Sequence, residues 1–360
     1  MTSRRSFLKS GCLAGIAAGV LPLSGVAGAV SEKKVRKHWV WTNPDKEDTL
    51  AQLRTRYRSY YNSGIRGIFF ENDSEIHFKT AKSEGLEAHR WMWTMNRGEK
   101  SLLAAHPEWY AVNRKGESCA DKPPYVDYYR WLCPSREEVK QYLVDDVKSI
   151  LANDYVDGIH LDYVRFCDVV LPVNLWENYH IEQTRELPEY DYCYCDVCKE
   201  KFKKWRGKDI TDIKYPEASL SWRLFRYDAI TNIVNDIAAV ASSYKKQITA
   251  AVFPTPEVAR RNVRQDWTKW NLTGVCPMIY HGFYKEDVAW IGDAVAEGVR
   301  LLNGKFPLYA GLFIPDFKTS SEARKGVEIA LRNGAAGISL FGNVTDEILE
   351  VLAATTNTAY

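Results

Sequence analysis

Several absences bound this 360-residue chain before any motif is read. It lacks an apolar run of the ~20 residues that a bilayer span needs. It lacks a dominant charge: 48 basic and 46 acidic residues leave a net +2. No long basic stripe is present, so nucleic acid is not an expected partner. No Gly-x-Gly-x-x-Gly turn follows the first apolar strand pattern, which removes support for a dinucleotide fold. There is no internal repeat and no low-complexity tract.

Aromatic residues, by contrast, are abundant, at 13% with 12 Trp and 21 Tyr. Aromatic faces fill cores, and they also stack on the C–H faces of sugar rings.

The N-terminus reads as an export signal. Ser3-Arg-Arg-Ser-Phe-Leu-Lys9 is a twin-arginine pattern, a short Gly- and Ala-rich apolar stretch runs from Cys12 to about Leu23, and Ala27-Gly28-Ala29 offers a cleavage site. The expectation is a signal peptide over 1–29, export by the twin-arginine route to the periplasm or beyond, and no stable membrane span in the mature protein. Loss of Arg4, Arg5 and Lys9 takes the net charge from +2 to about −1. Seven cysteines remain of the eight. A disulfide framework is not expected in a domain large enough to bury its own core.

From residue 30 on, short apolar runs alternate with helical patterns, which signals a parallel sheet with crossover helices. Eight strands are predicted: Lys37–Thr42, Ile65–Glu71, Leu86–Thr94, Val156–Tyr163, Gln247–Pro254, Thr273–Tyr280, Pro307–Ile314 and Ala335–Phe341. Eight such units point to a (β/α)8 TIM barrel over 30–360. Long loops follow strand three (Met95 to about Pro134) and strand four (Val164 to about Pro216), at the strand ends where barrel active sites are built.

Strand alternation puts His160 and Asp162 on one face, with Ile159 and Leu161 on the other. A carboxylate at a barrel strand exit is costly to bury unpaired. An ion pair with Arg165 or His160 would be the structural explanation; a catalytic or substrate-binding carboxylate is the functional one. Other exits add Trp41, Glu71, Asp73, His89, Trp91, Trp93, Tyr280, His281 and Asp316. Acids, histidines and aromatics gathered on one rim suit a carbohydrate. Glycoside cleavage needs an acid and a nucleophile or base, usually two carboxyl groups. Asp162 is expected as the ionised partner and Glu71 as the acid, with Asp73, Glu257, Asp266 and Asp316 as rivals. Arg165, His160, Trp41 and the other rim groups are expected to contact substrate.

The segment Val156-Asp-Gly-Ile-His-Leu-Asp-Tyr-Val-Arg-Phe166 resembles the fourth-strand motif of glycosyl-hydrolase-like barrels in secreted bacterial proteins. His106-Pro-Glu-Trp109, Trp131-Leu-Cys-Pro134, Gln265-Asp-Trp-Thr-Lys-Trp270 and Pro277-Met-Ile-Tyr280 fit the same pattern. The resemblance implies a (β/α)8 barrel, polysaccharide-related hydrolysis and a catalytic aspartate at Asp162. The sequence departs from the family's usual motif just after that residue, where Tyr163 and Val164 follow. A lyase or isomerase acting on uronic sugars, and a sugar-binding barrel without catalysis, are the alternative readings.

No cofactor is expected for catalysis. Cys193-x-Cys195-x-x-Cys198 is similar to loop cysteines that hold a structural zinc in some barrel glycosidases. Zinc takes four ligands. Cys167 is the expected fourth, with His180 as the other candidate.

Overall fold

The computed structural model describes residues 36–356. The twin-arginine pattern and its cleavage site lie outside those residues. The described residues form eight strands: β1 His38–Thr42, β2 Ile65–Phe70, β3 Glu87–Trp93, β4 Gly158–Asp162, β5 Gln247–Val252, β6 Gly274–Pro277, β7 Tyr309–Phe313 and β8 Gly337–Phe341. All pairings are parallel, in the order β6-β5-β4-β3-β2-β1-β8-β7. Parallel bridges from Val275 to Leu308 and from Met278 to Gly311 join β6 to β7. The ring is thereby closed and the fold is a (β/α)8 barrel.

The helices are α1 Leu50–Asn62, α2 Glu75–Ser83, α3 Lys100–Ala105, α4 Glu137–Leu151, α5 Asp196–Arg206, α6 Leu220–Ser243, α7 Pro256–Val263, α8 Trp290–Leu302, α9 Ser320–Arg332 and α10 Asp346–Thr356. Thr49 and Gln52 close a reciprocal cap on α1, satisfying amides that the first turn leaves open. Among the described residues, no helix is long and apolar enough to cross a membrane.

Period-two alternation sorts the strands into two cores. Outward residues such as Ile68, Ala88, Ile159, Leu161 and Ala250 pack under the helices. Inward residues Trp39, Trp41, Phe69, Trp91, Ala251, Cys276 and Tyr309 fill the barrel. Large and small side chains complement one another there. A Cβ on Gly67 would lie 2.1 Å from the Trp39 ring, and one on Gly158 would lie 2.8 Å from His89 Cε1. These glycines make room for the indole and the imidazole.

The two long loops carry their own structure. The loop after β3 contains α3 and an antiparallel bridge between Tyr110 and Leu132. The loop after β4 contains α5, which ends at the left-handed Gly207. The loops are tied together by an antiparallel bridge between Asn113 and Tyr192 and by the Tyr194 amide donating to the Val112 carbonyl at 2.7 Å. Helices α3, α5 and α7 are short, and the sequence reading did not include them.

Candidate active site

Strand β4 carries the two central residues. Its register sets Gly158 beside His89, His160 beside Trp91, and Asp162 beside Trp93. Depth in the barrel follows from that register. His89 lies near the N-terminal end, His160 in the middle and Asp162 at the C-terminal mouth.

His160 is fully buried and fully engaged. Trp41 donates its indole N–H to Nε2 at 2.8 Å, and Nδ1 meets Thr249 Oγ1 at 2.8 Å. Phe69 stacks on the ring with centroids 3.7 Å apart. Indole can only donate, so Nε2 must accept and the proton sits on Nδ1. Burial holds the pKa well below the usual histidine range. The ring is therefore a neutral support beneath Asp162.

Asp162 accepts from Trp91 Nε1 at 3.1 Å and from the Tyr163 amide at 2.6 Å. Tyr163 takes a left-handed φ of 48°, so the chain turns sharply as it leaves the strand. Neither expected ion-pair partner is available. Arg165 donates to Asp168 Oδ2 at 2.8 Å and lies over Trp131, 4.6 Å from the ring centroid. His160 is committed to Trp41 and Thr249. Burial therefore pushes the Asp162 pKa from 3.8 up to about 6. The Tyr163 amide, Arg165 and Trp91 oppose that rise, and the charge of Glu71 adds to it. Buried carboxyls favour the protonated form for this reason.

Aromatic rings surround this carboxyl. Phe341, 37% exposed, meets Trp41 and Trp91 edge-on and stacks with Tyr280 at 6.1 Å and Phe313 at 5.8 Å. Burial, with Asp162 next in weight, holds the Tyr280 hydroxyl well above its usual range. On the opposite side Trp93 packs against Tyr163 at 4.6 Å and Tyr128 at 6.1 Å.

A cleft with room for about 650 Å³ opens on the β2–β3 side and is lined by Glu71, Asp73, Arg90, Trp91 and Trp93 among others. Asp162 does not line it, whereas Trp91, which bonds that carboxyl, does. Arg90 donates to the carbonyls of Glu71 and Trp91 and so fixes the backbone of both strand exits.

The remaining expected site residues divide by position. Trp91, Trp93, Tyr280 and Glu71 stand at the mouth around Asp162. Trp41 is buried one layer below, tied to His160. His89 is displaced from the rim altogether. It is fully buried near the barrel floor, edge-on to Trp39 and 3.5 Å from Glu87 Oε2. Strand parity gives its face but not its depth. Asp73 accepts from the Tyr155 hydroxyl on the outer flank. His281 is buried against Phe317, 3.9 Å from Asp316, and Asp316 accepts from the Gly282 amide at 3.0 Å. Of the rival acids, Asp266 is paired with Arg260 and Lys269, and Glu257 lies exposed in the first turn of α7. Phe341, Phe313, Tyr128 and Tyr163 were not singled out from sequence. Phe341 could have been, since Ile338 and Leu340 mark the opposite face of its strand.

The cysteines gather differently from the expectation. Cys193, Cys195 and Cys198 do cluster, but the fourth thiol is Cys133, from the loop after β3. Cys167 is buried elsewhere, its Sγ facing the Asp168 carbonyl.

The family model described as Glycosyl hydrolase-like 10 matches residues 75–299, which include β3 to β6, Asp162 and the cysteine cluster. The chain belongs to this family. No curated protein matches the sequence as a relative. Among solved structures, the PgaB (BpsB) glycoside hydrolase domain from Bordetella bronchiseptica is similar, with a TM-score of 0.65 at 12% identity over 91% of this chain and 99% of that one. The β-amylase catalytic domain from Paenibacillus polymyxa follows at 0.63 and 10% identity, again over 91% and 99%. The β-galactosidase from Marinomonas ef1 gives 0.62 at 10% identity, over 89% of this chain and 59% of that one. At such identities the likeness is one of fold, and these family and fold relationships leave the choice of reacting groups to the site itself.

Proposed function

We propose that this member of the Glycosyl hydrolase-like 10 family hydrolyses glycosidic bonds, with Asp162 exchanging a proton with the substrate. One observation carries the reading. The Asp162 carboxyl stands at the mouth without an ion-pair partner, ringed by aromatic side chains, and burial pushes it up to about 6. A carboxyl that holds its proton close to neutrality can protonate a leaving-group oxygen and take a proton back from water. The rings of Trp93, Tyr128 and Phe341 supply faces on which sugar units stack.

The sequence-based roles are accordingly exchanged. Asp162 becomes the acid/base, and Glu71 the second carboxyl, acting on the sugar carbon directly or through water. Glu71 follows β2 on the side of the mouth next to Trp91, and its charge is felt at Asp162. The polysaccharide setting fits the twin-arginine pattern, which supports export. The lyase reading finds less support, because His89 and His160 are buried below the mouth and His281 is buried against Phe317.

Product analysis tests the proposal. The protein is incubated with a panel of polysaccharides and oligosaccharides in ¹⁸O-water. A hydrolase gives a new reducing end and one ¹⁸O per bond cleaved. An unsaturated product absorbing in the ultraviolet, without ¹⁸O, would identify a lyase instead.

A further inference from the structure

The four clustered thiols lie in the wall of two loops and take no part in the proposed chemistry. Cys133, Cys193, Cys195 and Cys198 are all buried, and their sulfurs all lie within 4.8 Å of one another. Cys133 Sγ is 3.5 Å from both Cys195 Sγ and Cys198 Sγ. None of the four is in a disulfide. A tetrahedron of sulfurs around zinc, with Zn–S near 2.3 Å, has edges of about 3.8 Å. The observed cluster has that scale.

The surroundings suit thiolates. Val112 directs its amide at Cys193 Sγ, at 3.4 Å. Cys195 is the N-cap of α5 and Cys198 lies in its first turn, where the helix dipole favours negative charge. Four sulfurs in tetrahedral array select zinc or iron among common metals, and a fully buried set of four leaves no open position for substrate.

We propose that these four cysteines bind one zinc ion that clamps the loop after β3 to the loop after β4. The ligands come from both loops, so the metal adds a coordinate bond to a contact otherwise made by backbone hydrogen bonds, the Lys115–Glu189 ion pair and the stacking of Tyr125 on Tyr190. Its mechanical consequence reaches the rim. Trp131, two residues before Cys133, lies under the Arg165 guanidinium, and Arg165 follows Asp162 by three residues. The clamp thus holds the wall that supports the mouth without touching the reacting groups.

The test begins with elemental analysis of the purified protein, prepared without added metal, together with its intact mass under non-reducing conditions. One zinc per chain and seven reduced thiols in the exported chain are expected. Cys133→Ser and Cys198→Ser should each lose most of the zinc, whereas Cys167→Ser and Asp162→Asn should keep it. If the ligand variants fail to fold, cobalt exchange into the unaltered protein gives an independent reading. Intense visible bands and thiolate-to-metal charge transfer of a tetrahedral sulfur site are then expected. A metal-free chain with two disulfides among the four cysteines, stoichiometric iron in place of zinc, or full zinc in Cys133→Ser would overturn the assignment.

Discussion

Trp41 donates its indole N–H to Nε2 of His160 at 2.8 Å, across the barrel interior. That bond leaves His160 with one proton, on Nδ1 toward Thr249. A second proton on Nε2 would face a donor and not an acceptor. His160 is thereby a fixed neutral brace for the strand exit that holds Asp162. Replacing it with Ala leaves a cavity and two unsatisfied polar partners. The expected cost is about 2–4 kcal/mol in urea unfolding. A loss below about 0.5 kcal/mol would contradict the bracing role.

Asp162 gives a pH-dependent stability signature. Its pKa is raised on folding from 3.8 to about 6, so the folded state favours the protonated form. The stability this group contributes is present below pH 3.8 and is lost as pH rises through 6. Asp162→Asn removes the cost of the buried charge. The variant should be more stable than the parent by on the order of 1–3 kcal/mol at pH 8, and the gain should vanish below about pH 4. Thermal melts across pH check this, and a variant destabilised at pH 8 would argue against the buried, unpaired carboxyl.

Much of this arrangement was legible in the sequence, for a definable reason. Alternation in His160-Leu-Asp162 and Trp91-Met-Trp93 specifies which residues face inward, and the alternation of apolar runs with helical patterns marks the strands. Depth is set by register between strands, which a single sequence does not carry. His89 shares a face with Trp93, yet it pairs with Gly158 at the barrel floor. The exchange of acid/base roles that we propose rests on burial and on the orientation of Arg165 toward Asp168, neither of which sequence position shows. Cys133 was missed because it is 60 residues from Cys193 along the chain and meets it only where two loops pack.

Arg165 tests the loop wall directly. Its planar guanidinium lies over Trp131 and reaches the Asp168 carboxylate. Lysine keeps the charge but not the flat, forked geometry. Arg165→Lys should cost about 1–3 kcal/mol. It should also raise amide hydrogen exchange around Tyr163 to Asp168. Unchanged melting and exchange would mean the contacts of Arg165 with Trp131 and Asp168 are dispensable.

Gly67 tests the interior packing. An added methyl would meet the Trp39 ring at 2.1 Å, and that ring is stacked on Phe69 at 4.6 Å. Gly67→Ala is expected to destabilise by about 1–3 kcal/mol through overpacking. Wild-type stability in equilibrium unfolding would show that Trp39 has room to move.

The most direct measurement is the turnover of Asp162→Asn on a polysaccharide or oligosaccharide that the parent protein cleaves. The amide keeps the shape of the carboxyl and cannot exchange a proton. Turnover should fall at least about 10²–10⁴-fold, with sugar affinity and the folded state retained. Turnover equal to that of the parent protein, in a folded variant, would remove Asp162 from the chemistry.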